Sequence, residues 1–560
     1  MSDTLFQVMK RSNENRAQRD HKNQNERRRK LSISFLLLLG VTCVFRFFDL
    51  GIKPPHFDEG INGHFVMNIW RDGFYAYDPT NFHGPLYFYV VHLAEALFGR
   101  SVESFRVLNA VIASLLVVLI WRFRRFTGPA ATWAAWLIAV SPAFTFYGRY
   151  AIHESLHVLG QVAFVYGRLA WKQESARAPM GWMAAGAVIM ISTKETFFIF
   201  LGTWLIAELM LKGLELFEKR SRKRPDETSE EPLAEARPQS RHAMMVDVVA
   251  INGLAVFVTV ALFTGFFEHM KGLGDFFRAF DFWSATGTGG SGHEKVFYYW
   301  LELMWRYEWS LLIGLLVAVV MIGGLFSGFG SGFGPRFRSR FWRIRQLTES
   351  CFTPQQQVLL LSGFGLWLAY SIIPYKTPWL ILSFWPLLFF RVSLPPLQKV
   401  FVSAIASVLW AHGAYASYKL NFLDYADGRE PYVYVQTTKD YSVVMGILQK
   451  KLEARPDLRN TTILSIVKDP WPLPYDLSLF PKAQFIRFED ATASPDLINS
   501  AGVILADGDI AILLEPLLRK RFARVRFHLR DAYSSGYALF DAEIFEGVLP
   551  GDAPIVGGTP

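Results

Sequence analysis

Apolar stretches long enough, or nearly so, to cross the roughly 30 Å hydrocarbon layer of a bilayer recur along most of this chain, and they govern what it can fold into. They fall near residues 31–50, 105–121, 129–147, 151–171, 180–193, 196–212, 246–267, 309–327, 356–373, 378–392 and 397–417. Eleven such windows predict a mainly α, polytopic membrane protein of about 11 transmembrane helices, the fifth short enough to be tilted or partly re-entrant. Composition agrees, since 51% of the 560 residues are hydrophobic and only 19% charged, against about 25% charged in ordinary globular chains. The net charge of +9 does not point to nucleic acid, because the basic residues stand in short blocks between apolar runs rather than on one patch.

Those blocks set the orientation. Lys10 to Lys30, Arg122 with Arg124 and Arg125, Lys219 to Arg224, and Arg336 to Arg345 occupy alternate loops, which the positive-inside rule assigns to the cytoplasm. The long basic leader lacks a small-residue cleavage site, so the first apolar window reads as an uncleaved membrane helix. The expected protein is thus a multi-pass protein of the inner (plasma) membrane, in contact with its lipids. Its organisation is a basic cytoplasmic N-terminus (1–30), a transmembrane part (31–417) and an extracytoplasmic C-terminal domain (418–560). Within the transmembrane part lie a first outer loop (51–104), a charged, Pro-containing cytoplasmic linker too poor in apolar residues to order itself (213–245), and a second outer loop (268–308). The outer loop 51–104, the turns 147–150, 193–195 and 374–378, and the loop 268–308 then share one side of the membrane, where they can converge on one cavity.

In the tail, short apolar runs at 462–467, 484–488, 502–506, 523–527 and 537–540 alternate with helix-like stretches at 441–452 and 515–522, which predicts a small α/β domain. It carries neither a dinucleotide nor a P-loop glycine motif. With only Cys43 and Cys351, no disulfide framework or CxxC metal site is available.

Three stretches carry candidate chemistry. His56-Phe57-Asp58-Glu59-Gly60 puts two carboxylates at the head of a helix just outside the membrane, suited either to capping that helix or to taking a proton from an attacking hydroxyl. Arg149 to His157 contains His153-Glu154-Ser155-Leu156-His157, a formal H-E-x-x-H in which His153 and His157 are metal-ligand candidates and Glu154 a general base. A zinc protease on that motif lacks its usual companions, because Asp72-Gly73, Asp427-Gly428 and Asp507-Gly508 fall in predicted loops rather than in a later span. The Gly-rich stretch Thr286 to Gly292 leads into His293, Lys295 and Tyr298 and reads as a substrate lid or a plain flexible loop.

The Asp-Glu pair, the run Phe82-His83-Gly84-Pro85-Leu86-Tyr87 and Arg106 at the start of the second span together resemble the GT-C glycosyltransferases, in the protein O-mannosyltransferase and lipid A aminoarabinose transferase branch. Pro431 to Thr438 and Trp471-Pro472-Leu473-Pro474-Tyr475 are similar to a prokaryotic branch named as flippase-activity-associated. The resemblance implies a glycosyltransferase that moves a hexosyl or pentosyl group from a polyprenyl-phosphate donor to a lipid, glycan or protein acceptor on the outer face, inverting the anomeric centre. It implies Asp58 as the catalytic carboxylate, with Glu59 and Glu154 beside it, and Arg149, Lys376, Lys194 and His83 as donor-phosphate ligands, Lys376 ahead of Lys194. No cofactor is required on this reading, a divalent metal being the optional addition. The alternative is a non-catalytic lipid-linked-sugar binder or flippase accessory.

Overall fold

The computed structural model describes residues 31–171, 177–222, 241–287, 292–327, 343, 345–346, 348–388, 396–530 and 535–558. The basic N-terminus, most of the cytoplasmic linker, the basic block 336–342 and the glycines of 288–291 lie outside them. In chain order the helices are α1 (Leu31–Phe47), α2 (Phe57–Asp72), α3 (Leu86–Phe98), α4 (Val102–Arg122), α5 (Arg124–Thr127), α6 (Pro129–Ala139), α7 (Pro142–Tyr147), α8 (Glu154–Ala170), α9 (Arg177–Ile191), α10 (Phe197–Arg222), α11 (Arg241–Phe263), α12 (Gly272–Gly287), α13 (Tyr299–Tyr307) and α14 (Trp309–Leu325), followed by Pro354–Ile372 and Pro396–Tyr418. Every apolar window predicted from the sequence contains helix. Among the described residues, four helices are long and apolar enough to cross a membrane on length and composition alone, and six more apolar helices are shorter.

Local chemistry explains the boundaries. Ser101 caps α4 by accepting the N–H of Ser104 at 3.1 Å, and Thr353 with Gln356 forms a reciprocal capping box at the head of Pro354–Ile372. The window 129–147 is broken in two at Ser141-Pro142. Proline lacks an N–H and clashes with the preceding turn. The carboxyl of Glu308 takes over the freed groups there, accepting from Ser141 Oγ (2.7 Å), Ala143 N (2.8 Å) and Trp385 Nε1 (3.1 Å). The window 378–392 likewise holds short turns between Pro378 and Leu387 instead of one regular helix, since Pro378 and Pro386 interrupt it.

After Pro396–Tyr418 the chain forms the helix Lys439–Ala454 and then a six-stranded sheet of β1 (Ile463–Ile466), β2 (Ala483–Phe485), β3 (Val503–Asp507), β4 (Arg521–Phe527), β5 (Gly536–Asp541) and β6 (Ile555–Gly557), in the spatial order β2-β1-β3-β5-β4-β6. The first three run parallel and the others pair antiparallel. β1 is buried on both faces: Ile463 packs with Tyr441, Val444 and Phe540, while Leu464 and Ile466 pack with Ile498, Ile504 and Leu514 on the other side, which is why its residues are apolar on both faces apart from the buried Ser465. The helix expected at 515–522 lies earlier, at Gly508–Leu514, because Pro516 stops it, and Arg521 already begins β4. β6 has no counterpart in the sequence reading, being three residues of an exposed edge.

Asp476, at the joint between sheet domain and bundle, is hydrogen-bonded by the hydroxyl of Tyr441. Burial pushes its carboxyl up to about 6, against the pull of Tyr441 and Arg100. A carboxyl whose folded pKa exceeds its unfolded value stabilises the fold below the ordinary carboxylate range and loses that contribution as pH rises through about 6. Asp476→Asn should therefore remove a pH-dependent component, on the order of 2 kcal/mol, from stability between about pH 4 and 6, readable as a flattened pH profile of hydrogen exchange in β1 and the helix Lys439–Ala454.

Candidate active site

Six stretches, most of them far apart in sequence, meet at the end of the bundle that carries the sheet domain. They line a cleft of about 840 Å³ with Asp58 and Asn62 of α2, Asn81 to His83, Ile152 to Glu154, Lys194 to Thr196, Trp283 and Thr286 of α12, and Tyr375, Thr377 and Trp379. Four of the five segments expected to share one side contribute, 51–104, 193–195, 268–308 and 374–378, whereas 147–150 does not line the cleft and residues 152–154 just after it do.

Backbone contacts bring them together. The N–H of Gly84 donates to Thr193 O (3.0 Å) and that of Leu86 to Ser192 O (2.8 Å). A Cβ at position 84 would stand 2.3 Å from the Ser192 carbonyl carbon, so only glycine allows this approach. It sets His83 beside the 192–196 turn, its Nδ1 2.9 Å from Glu195 Oε2. Asn62 Nδ2 donates to Ala151 O at 2.8 Å and ties α2 to the turn before α8.

Glu59 does not line the cleft. Its carboxylate is buried against Arg106, with Nε and Nη2 at 2.8 and 2.6 Å, and accepts the N–H of Ala151 (2.7 Å) and of His56 (2.8 Å). Arg106 spends its remaining donors on the carbonyls of Leu50, Lys53 and Pro54 at 2.9 to 3.1 Å. Burial works against the Glu59 carboxylate, yet Arg106 and the two amides hold it below the usual carboxylate range. Glu59 and Arg106 thus build the loop that presents Asp58, one residue away.

Asp58 points the other way, with its side chain about one-third exposed (32%). The other cleft carboxylates have partners: Glu154 is ion-paired with Lys194, and Glu195 with His83. For Asp58, the nearest cationic-type atom among the described residues is His56 Nδ1, at 3.9 Å. Burial opposes the Lys194 ammonium, but Glu154 and Glu195 hold its pKa well above the ordinary lysine range, so it stays charged.

Two residues expected at the donor phosphate lie elsewhere. Arg149 turns its guanidinium to the carbonyls ending α1, with Nη1 2.7 Å from Phe48 O and Nη2 2.5 Å from Asp49 O. Lys376 turns inward to Ile373 O (2.5 Å) and Lys295 O (3.1 Å), because the segment 293–295 pairs with 374–376 through Lys295 N–Pro374 O (3.1 Å) and Lys376 N–His293 O (3.0 Å). In both, a cation satisfies carbonyls left free where helices end. Of the expected lid residues, His293 meets the Tyr434 hydroxyl at 2.5 Å, Lys295 stands 5.6 Å from the Tyr434 ring, and Tyr298 is exposed at the start of α13; none of the three lines the cleft. His153 lines it, 4.5 Å from the His83 ring, whereas His157 faces Gln161 inside α8 (3.2 Å). Among the described residues no three His, Cys, Asp or Glu side chains are grouped to hold a metal ion.

Sequence reading missed the cleft's aromatic wall of Trp283, Tyr370, Tyr375 and Trp379. Lys376, the expected phosphate ligand, stands between Tyr375 and Trp379, and these aromatic residues are what reach the cleft. Removing the Glu59 charge (Glu59→Gln) should cost about 3–5 kcal/mol, because Arg106 is left buried without its carboxylate, and should show as a lower melting midpoint in detergent before any kinetic change is measured.

Comparison with known proteins bears on this architecture. Residues 82–220 match the family model described as dolichyl-phosphate-mannose-protein mannosyltransferase. No curated protein matches the chain. Among solved structures, ArnT from Cupriavidus metallidurans bound to undecaprenyl phosphate is similar with a TM-score of 0.54 at 13% identity, covering 92% of this chain and 99% of ArnT. The apo state of the same protein gives 0.52 at 13% identity, over 92% and 98% of the two chains. Residues 82–220, from just before α3 into α10, thus carry a mannosyltransferase family match, and the fold from α1 to the sheet domain is similar to that of ArnT.

Proposed function

We propose that the protein transfers a sugar from a polyprenyl-phosphate donor to an acceptor hydroxyl at the membrane face that bears the sheet domain, with Asp58 as general base. The observation that carries this reading is charge pairing in the cleft. Glu154 and Glu195 are each engaged there by a basic group, and Glu59 is turned away from the cleft onto Arg106, which leaves Asp58 as the carboxylate free to take a proton. The ArnT structure, solved with undecaprenyl phosphate, supports the donor class.

In the step proposed, the acceptor oxygen attacks the anomeric carbon from the side opposite the phosphate. A C–O bond forms as the bond to the phosphate oxygen breaks, the acceptor proton passes to Asp58, and the polyprenyl phosphate leaves with the bonding pair. The configuration at the anomeric carbon inverts. Lys194 is the cleft cation that can meet the charge growing on the leaving phosphate, with the His83 ring beside it in the lining as a further hydrogen-bonding group. Lys194 then exchanges part of its contact with Glu154 for the phosphate. The tail lies along the membrane helices, and the acceptor is an alcohol on a lipid, glycan or protein. The transfer as written uses no resident cofactor.

Purified protein in liposomes containing polyprenyl-phosphate sugars tests this by release of free carrier phosphate. Asp58→Asn should lower kcat by about 10²–10⁴-fold with the fold intact; near-native release from that variant rules out the base assignment. Donor that stays bound and uncleaved by native protein would instead favour the accessory reading. Lys194→Gln should cost about 10²-fold in kcat/KM. Lys376→Gln, in protein that folds, should stay within about threefold, since Lys376 holds carbonyls outside the cleft.

A further inference from the structure

His56 stands two residues before Asp58, and both ring nitrogens are used. Nδ1 accepts the backbone N–H of Asp58 at 3.1 Å, and Nε2 lies 2.7 Å from the carbonyl oxygen of Tyr434. A carbonyl can only accept and a backbone N–H can only donate. One assignment satisfies both: a neutral imidazole with its proton on Nε2 and its Nδ1 lone pair toward Asp58. The 3.9 Å approach of Nδ1 to the Asp58 carboxylate is therefore not an ion pair. The residue is 4% exposed, and the rings of Tyr150 and Trp379, with centroids 5.2 and 5.9 Å away, fix its plane.

Tyr434 belongs to the segment that joins the membrane helices to the sheet domain. The same segment grips the residues just before His56: Gln436 Nε2 donates to Pro54 O at 2.8 Å, and Thr437 Oγ1 to Pro55 O at 2.6 Å. Thr437 in turn pairs through its backbone with Arg530, just past β4, and Arg530 holds Trp471 O at 2.9 Å. An unbroken run of hydrogen bonds leads from the sheet domain through 434–437 to His56 and on to the first turn of α2.

We infer that His56 is a positioning residue for Asp58, and that the sheet domain acts on transfer through it by holding the imidazole in one tautomer and one plane. The inference rests on the reading of Asp58 as general base. With Asp58 N held at Nδ1, the first turn of α2 has one geometry, and the carboxylate is aimed into the cleft before substrate arrives. Misplacing a reacting group by about 1 Å can cost about 100-fold.

Two substitutions separate the two bonds. His56→Asn keeps a capping acceptor for the Asp58 amide, asparagine being a favourable helix cap, but is too short to reach Tyr434. His56→Gln carries an amide N–H toward Tyr434 and gives up the cap. Thr437→Val loosens the connecting segment without touching either residue. In full-length protein in liposomes, His56→Asn should lower kcat about tenfold with donor KM and melting midpoint unchanged, and His56→Gln should lower the midpoint as well. Thr437→Val should lower kcat about threefold, and its combination with His56→Asn should fall short of the product of the two. Native kcat in folded His56→Asn, while Asp58→Asn is inactive, overturns the positioning role and leaves the base intact. Transfer by Asp58→Asn overturns the base and this inference with it. Should His56→Asn fail to fold, native kcat in Thr437→Val overturns the positioning role.

Discussion

The buried ion pair between Glu59 and Arg106 is the contact on which the candidate site depends. Six polar groups besides the two side chains converge on it or beside it: the carbonyls of Leu50, Lys53 and Pro54 and the amides of Ala151 and His56 directly, and the carbonyl of Ala151 through Asn62. Burying two charges is costly unless every donor and acceptor is satisfied, and here each is. The return is geometric. The pair joins the loop after α1, the head of α2, the start of α4 and the turn before α8, and so places Asp58 at a fixed point relative to three other elements.

The sheet domain adds a second constraint on the same helix. Gly60 of α2 lies so close to Pro472 that a Cβ there would come within 2.4 Å of it, and Tyr475 reaches Glu95 of α3 with its hydroxyl. Arg530 stacks 4.9 Å from Phe57 while holding the carbonyls of Asp469 and Trp471. The two tail motifs that carried the resemblance to one branch of the superfamily, 431–438 and 471–475, are these docking joints. Both motifs thus seat the tail against the loop and helix that bear Asp58.

Charge pairing explains why chemically similar residues in one cleft have different roles. Glu154 is ion-paired with Lys194, and beside it Glu195 Oε2 lies 2.9 Å from His83 Nδ1. Arg149 and Lys376 are drawn instead to carbonyls exposed where α1 and Pro354–Ile372 end. A cation near a membrane surface takes whichever acceptors are nearest in space, and free carbonyls at helix ends compete well with a distant phosphate.

Periodicity and length in the sequence were enough for the helical bundle and the sheet domain, because spans are imposed by bilayer thickness and strands by short apolar runs. Proline-broken helices at Ser141 and Pro378 and the helix at Gly508–Leu514 depended on single residues and were located only by the structure. In the site, the Asp58-Glu59 pair was visible in sequence as two adjacent carboxylates, but adjacency on a helix cannot say which faces a buried arginine and which faces the cleft. That distinction needed Arg106, 47 residues on, folded back against the loop. Likewise Arg149, Lys376, Lys194 and His83 were all candidates for the phosphate, Lys376 ahead of Lys194, and only the tertiary arrangement put Lys194 and His83 in the cleft lining and Arg149 and Lys376 outside it. Residue types and spans are written locally in the chain; which donor meets which acceptor is decided by distances between elements far apart in sequence.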